Sequence, residues 1–150
     1  MSWTYSNFDT LTLGLVLEAA TQKKLTEFYK ETLWSDVKPE HPTYWFLDSK
    51  GVPLAHAYFH VSLRDAARLG QHVLRISKGE YGNNCMEKYI EKATQPHIMM
   101  KQIQGNKELM GYGYQFWLEV SHGDTVRMSG HPGQEIMINF KTDRKSTRLN

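Results

Sequence analysis

One cysteine in 150 residues excludes an internal disulfide. Cys85 alone is silent on redox compartment, and a lone thiol is more often inert filling than a nucleophile. No apolar run reaches the roughly 18–20 residues that a membrane-spanning helix needs. The front, Met1-Ser2-Trp3-Thr4, has neither the basic start nor the apolar stretch of a signal peptide. Internal repeats, low-complexity segments and a Pro/Gly/Ser-rich linker are all missing, so nothing in the pattern splits the chain. Charge of one sign is missing too. There are 18 basic and 16 acidic residues, too even a balance for an electrostatic grip on nucleic acid.

Even that small excess sits at one end. Asp143-Arg144-Lys145-Ser146-Thr147-Arg148-Leu149-Asn150 is what GAT CGG AAG AGC ACA CGT CTG AAC encodes, a string that looks like a common short-read sequencing adapter. Residues 143–150 are therefore expected to be a processing scar, to be set aside from fold reasoning. Without them, 15 basic and 15 acidic residues remain. The same view makes Met1 an internal methionine and residues 1–142 part of a longer protein.

What is present is a globular composition: 40% apolar residues and four tryptophans, enough for one domain with a real core. Phe8–Thr21 has the spacing of a helix, with Asn7 as its expected N-cap and Asp9 in the first turn; its apolar surface is broad enough to predict burial on most sides. Leu25–Trp34 reads as a second helix with Leu25, Phe28, Tyr29 and Leu33 inward. Pro39 and Pro42 enforce an extended connection. Tyr44–Leu47 is a short aromatic segment closed by the turn signal Asp48-Ser49-Lys50-Gly51. Ser62, with Asp65 three residues on, opens a third helix that Lys78-Gly79 ends. Met86–Ala93 makes a fourth, with Met86, Tyr89, Ile90 and Ala93 inward, and residues 97–110 look irregular. The period then changes. Tyr112–Leu118, Thr125–Ser129 and Glu135–Phe140 read as strands, separated by turns at Ser121–Asp124 and Gly130–Gly133. Helices first and antiparallel strands afterwards predict an α+β fold.

Two short stretches carry chemistry. In Tyr5-Ser6-Asn7 a phenol and a carboxamide stand two apart at a helix start, where one can move a proton and the other can orient a carbonyl or amide. The spacing is common, and a half-buried aromatic beside a plain helix cap accounts for it equally well. The second stretch is Gly130-His131-Pro132-Gly133-Gln134, whose histidine by itself fits a surface role.

Order adds what spacing does not. Tyr-Ser-Asn, an apolar helix, Leu-Trp-Ser-Asp-Val-Lys-Pro-Glu-His, Tyr-Trp-Phe-Leu-Asp-Ser-Lys-Gly, Ser-Leu-Arg-Asp-Ala-Ala-Arg-Leu-Gly, Tyr-Gly-Tyr-Gln-Phe-Trp-Leu and Gly-His-Pro-Gly-Gln follow one another over most of residues 3 to 140. This series resembles the β-lactamase-like serine hydrolases: class C β-lactamases, related esterases, D-amino-acid peptidases and nylon-oligomer hydrolases. Tyr44–Asp48 and Ser62–Gly70 look most like the nylon-oligomer branch. The resemblance implies a partial β-lactamase/transpeptidase-like fold without its N-terminal part or its C-terminal strand and helix. It implies cleavage of an amide or ester through an acyl-enzyme, with no cofactor or metal and a small-molecule substrate. Tyr5 would be the general base toward a serine hydroxyl and then the acid toward the leaving group, a task for which a phenol needs positive charge nearby, in part from His131. Asn7 would hold the substrate's amide side. Gln134 would lend its backbone N–H to the oxyanion hole, with Gly133 allowing close approach.

The family's Ser-x-x-Lys nucleophile motif departs from this pattern. The match here, Ser35-Asp36-Val37-Lys38, follows Tyr-x-Asn instead of preceding it and runs into Pro39, so Ser35 is read as a decoy. The nucleophile is then expected outside this chain, and the chain alone is expected to be inactive. The alternative is a non-catalytic relative that binds a peptide or small amide. His56 and His60, four apart, have no acidic partner or evident third ligand and do not make a metal motif. Tyr112, Tyr114, Phe116 and Trp117 lack the basic field of a nucleic-acid platform and read as core or as an apolar cleft wall.

Overall fold

The computed structural model describes residues 3–100, 110–119, 125–131 and 133–148. The chain forms two compact units, Met1–Asp65 and Ala66–Asn150.

In the first unit, Ser6 starts helix α1 (Asn7–Thr21). Ser6 is extended and its hydroxyl oxygen accepts the Phe8 N–H at 3.2 Å. The cap is therefore Ser6 and not Asn7, whose backbone is already helical; the two residue types cap about equally well, and the local dihedrals decide between them. The expected burial of α1 is also corrected. None of its residues is buried, and Phe8 and Val16 are 77% and 57% exposed. It meets the rest of the unit closely at Gly14, where a Cβ would come within 2.7 Å of the Ala55 Cβ. At its far end the Glu18 carboxylate accepts the Leu25 N–H at 2.7 Å, capping the next helix.

That helix, α2 (Leu25–Tyr29), widens into a π-helical segment (Lys30–Trp34) and closes as α3 (Ser35–Val37). Hydroxyls of Thr32 and Ser35 bond back to the carbonyls of Phe28 and Glu31 here, a habit that loosens helical geometry. Leu25, Trp34 and Val37 are its buried residues. Trp34 stacks on Tyr29 with centroids 5.5 Å apart, and both rings meet Phe59 edge-on. Burial pushes the Tyr29 phenol well above its ordinary range.

Phe59 arrives on a two-stranded ribbon, β1 (Tyr44–Trp45) against β2 (Phe59–His60). Trp45 packs on Phe59, and its indole N–H donates to the carbonyls of Leu54 and Ala57 at 3.0 and 3.1 Å. The expected turn at Asp48 is present: its carboxylate accepts the N–H groups of Lys50 and Val52, which hold it below the usual range. The unit ends on Asp65, whose side chain is fully buried. It accepts the N–H groups of Glu40 and His41 and the Ser62 hydroxyl, while Ser62 accepts the Asp65 N–H. The capping box of the sequence therefore also anchors the Pro39–His41 connection.

Among the described residues, the second unit is a six-stranded antiparallel sheet in simple sequential order with two helices. The helices are α4 (Leu63–Ser77), which begins in the first unit, and α5 (Asn84–Ala93). The strands are β3 (Ile98–Met100), β4 (Met110–Tyr112), β5 (Trp117–Glu119), β6 (Thr125–Gly130), β7 (Gln134–Asn139) and β8 (Arg144–Arg148). Val73, Leu74 and Ile76 of α4 and Ile90 of α5 form the core with Leu118, Val126 and Ile138 of the sheet. Three expectations change here. Ile98–Met100 is a strand where an irregular segment was expected, since it pairs with β4. Tyr112–Leu118 is a hairpin and not one strand. Gly113 turns the chain between β4 and β5 with its N–H on the Phe116 carbonyl at 2.9 Å, and a Cβ at Gly113 would strike the Ala93 carbonyl oxygen at 1.9 Å. On α5, Ile90 and Ala93 are buried as expected, but Met86, in the first turn, and Tyr89, whose ring meets Tyr114 at 6.1 Å, are exposed. The turn expected at Ser121–Asp124 lies outside the described residues.

The segment set apart by its sequence lies alongside β7 as β8, with Asn139 opposite Arg144 and Ile138 opposite Lys145. Lys145 reaches Gln71, and Asp143 accepts from Lys78 at 2.6 Å. Backbone pairing makes few demands on side chains, so this edge position carries no information about the segment's origin.

Candidate active site

The Tyr5–Asn7 stretch is held by the Ser6 cap. With Ser6 extended, Tyr5 and Asn7 flank it at the start of α1. Tyr5 is 45% exposed and its ring meets Trp3 edge-on at 6.5 Å. Asn7 is exposed on the first helical turn. The cap therefore does one thing the sequence left open: it frees the Asn7 carboxamide from capping duty.

The Gly130–Gln134 stretch is the turn of the β6–β7 hairpin. Gly130 pairs with Gln134, and the Gly133 N–H closes the turn on the Gly130 carbonyl at 2.8 Å. Gly133 has φ 122°, a conformation that a side chain would resist. His131 is exposed at the tip, and Pro132 lies outside the described residues. Gln134 folds over the start of the turn, where a Cβ on Gly130 would sit 3.1 Å from its Oε1. His131, Gly133 and Gln134 thus share one tight turn, while Tyr5 and Asn7 share one helix start; the two groups belong to different units.

Below the turn, Arg127 of β6 pairs with Glu119 of β5 and approaches Glu135 of β7 at 3.5 Å. Register explains this: Trp117 lies opposite Arg127 and Arg127 opposite Met137, so carboxylates one diagonal step away reach the guanidinium. Sequence reading passed over this trio because three charged residues on three strands leave no local motif.

The Ser35 hydroxyl donates to the carbonyls of Glu31 and Thr32 at 2.9 and 2.7 Å. Lys38 lies past the helix end with φ 53°. Serine and lysine are therefore not stacked one helical turn apart, the arrangement a Ser-x-x-Lys nucleophile needs. His60 packs against Phe46 with centroids 4.8 Å apart. Among the described residues no group of three or more His, Cys, Asp or Glu is arranged to hold a metal ion, and no helix is long and apolar enough to cross a membrane. In the second unit a cleft of about 550 Å³ opens between α5 and the sheet, lined by Glu87, Ile90, Thr94, Leu118, Thr125 and Phe140 among others. Tyr5, Asn7, His131, Gly133 and Gln134 do not line it, and nothing in the sequence pattern announced it.

Comparison of the sequence with protein-family models and with curated proteins finds no match. Among solved structures the chain is similar to a Bacillus anthracis protein proposed to be a 6-aminohexanoate-dimer hydrolase. The TM-score is 0.74 and the identity 25%, and the match covers 94% of this chain and 36% of that one. The chain therefore has the α+β architecture of a partial β-lactamase-like hydrolase fold, and it spans well under half the length of that neighbour.

Proposed function

We propose that this chain is part of a β-lactamase-like serine hydrolase that cleaves an amide or ester bond through an acyl-enzyme. The likeness to the Bacillus anthracis hydrolase over 94% of the chain carries the reading, and the ordered motif series agrees with it. That neighbour's substrate class favours an amide. In this mechanism a serine hydroxyl from outside residues 1–142 attacks the carbonyl while Tyr5 takes its proton. The Gln134 N–H stabilises the oxyanion, and Gly133 leaves the carbonyl room to approach. Tyr5 then passes the proton to the departing amine or alcohol, and water releases the acyl group by the reverse relay. Asn7 orients the amide side of the substrate, and His131, with the missing lysine, contributes the positive charge that the phenol needs. Residues 143–150 belong to no part of this machinery.

Coding sequence upstream of Met1 tests the proposal directly. The expected finding is an in-frame serine with a lysine three residues on. The complete protein should then hydrolyse a p-nitrophenyl ester, nitrocefin or a linear amide dimer and take up a fluorophosphonate. Tyr5→Phe should lower kcat by about 10²- to 10⁴-fold. Residues 1–142 alone should not be labelled. Labelling of Ser35 would overturn the proposal, and absence of the upstream pair would turn the reading to a non-catalytic binder.

A further inference from the structure

The β6–β7 hairpin carries Gly133 and Gln134 at its free end, and burial falls along it. Thr125 and Val126 are buried, Arg127 and Met128 are half-buried, and Ser129, Gly130 and His131 are exposed. Gly133 has φ 122° and no Cβ, so by itself it does little to fix the direction of the peptide that follows. Its N–H closes the turn on the Gly130 carbonyl, which leaves the aim of the tip to the strands beneath.

The two faces of the hairpin are held differently. Met128 and Ile136, opposite each other in register, pack against the core. Strand alternation puts Arg127, Ser129 and Glu135 on the other face, and there the hold is charge. Glu135 lies opposite Ser129 and follows Gln134 directly, and its carboxylate approaches the Arg127 guanidinium at 3.5 Å. Arg127 in turn pairs with Glu119 on β5, whose side chain is only 7% exposed. One guanidinium therefore ties the strand leaving the turn to a carboxylate buried two strands away.

Burying this much charge is a poor route to stability. Desolvation offsets most of the attraction, and an apolar residue at 127, like its register partners Trp117 and Met137, would hold the sheet as well. What a forked guanidinium adds is direction, since it fixes its carboxylate partners at set angles. We propose that Arg127 and Glu135 are positioning residues for the Gly130–Gln134 turn, with Glu119 as the buried anchor that fixes Arg127. In the hydrolase they aim the Gln134 N–H at the oxyanion without touching substrate. That catalytic consequence rests on the reading above; the hold on the turn rests on the ion-pair geometry.

Amide ¹⁵N relaxation and thermal melts on the 150-residue chain test the hold. Glu135→Ala leaves Arg127 and Glu119 as a neutral pair, so Tm should stay within about 3 °C of wild type. The order parameters of the Gly133 and Gln134 amides should nevertheless fall from about 0.85 toward about 0.6, while those of Val126 and Ile138 hold steady. Glu135→Gln, which keeps an acceptor, should loosen the turn less. Arg127→Met alone strands the Glu119 charge and can unfold the sheet, so it is paired with Glu119→Met. That double variant should melt no lower than wild type and still loosen the turn. Arg148→Ala, across from Glu135 on β8, should leave the turn unchanged. In the complete protein, Glu135→Ala should lower kcat about tenfold with KM within about twofold, and Glu135→Gln should restore part of the loss.

A turn that stays rigid in Glu135→Ala overturns the proposal, as does loosening that spreads to Val126 and Ile138 or that Arg148→Ala produces equally. A raised KM with unchanged kcat also overturns it. The two readings fail separately. A missing upstream Ser-x-x-Lys ends the hydrolase and leaves the relaxation results standing, whereas a rigid turn in Glu135→Ala ends the positioning role alone.

Discussion

Asp65 shows how much one side chain can organise. Its burial pushes the carboxyl up, but the Glu40 N–H, the Ser62 hydroxyl, the His41 N–H and the His41 ring together outweigh that and hold it below the ordinary carboxylate range. A depressed folded-state value means that the unfolded chain binds the proton more readily. The stabilisation is therefore complete above the ordinary carboxylate value of about 4 and is lost as pH falls through the lower folded value. Asp65→Asn should cost about 2 kcal/mol at neutral pH and should flatten the acid limb of stability, as measured by urea unfolding across that range. Gly113 is the second such position. A methyl there would meet backbone at 1.9 Å, and neither the turn nor α5 can yield without losing the bond from the Tyr114 N–H to the Ala93 carbonyl. Gly113→Ala should destabilise by about 2–3 kcal/mol in the same assay, as overpacking against a fixed group does. The capping box at Ser62 and Asp65 was legible in the sequence, because its spacing is local. That Gly113 makes a turn inside an aromatic run was not, because β-propensity is high on both sides of it.

Among the elements, β7 and β8 make a useful contrast. Ile138 of β7 is fully buried under α4 and α5, whereas β8 is exposed along nearly all its length. Ile138→Ala should cost about 3 kcal/mol through lost burial and a cavity. Removing residues 143–150 should lower Tm by less than that substitution does, and hydrogen exchange should find β8 amides far less protected than those of β6 and β7. Helix positions were readable from apolar spacing, and so was the inner side of α5, but the cap of α1 and the exposure of Met86 and Tyr89 were not. Choosing between Ser6 and Asn7 needs backbone dihedrals, and how deeply each residue of one apolar stripe is buried needs the surface it packs on.

Across the whole chain, near-neutral charge and a bare α1 belong together. Phe8, Leu13, Leu15 and Val16 are exposed side by side in sequence, with little net charge to keep copies apart. The 150-residue chain should bind a hydrophobic dye such as ANS. Leu13→Glu together with Val16→Lys should reduce that signal without lowering Tm, because no α1 side chain is buried. An unchanged dye signal would place the sticky surface elsewhere.

By itself the sequence determined the succession of helices and antiparallel strands and the two motif-bearing stretches at Tyr5–Asn7 and Gly130–Gln134, because periodicity, caps and turn residues act over a few neighbours. Tertiary structure alone decided that Ser6 carries the cap, that Ile98–Met100 is a strand, and that Arg127 gathers carboxylates from two other strands. The first depends on backbone dihedrals, and the others on pairing or packing between residues far apart in the chain, which no local pattern encodes.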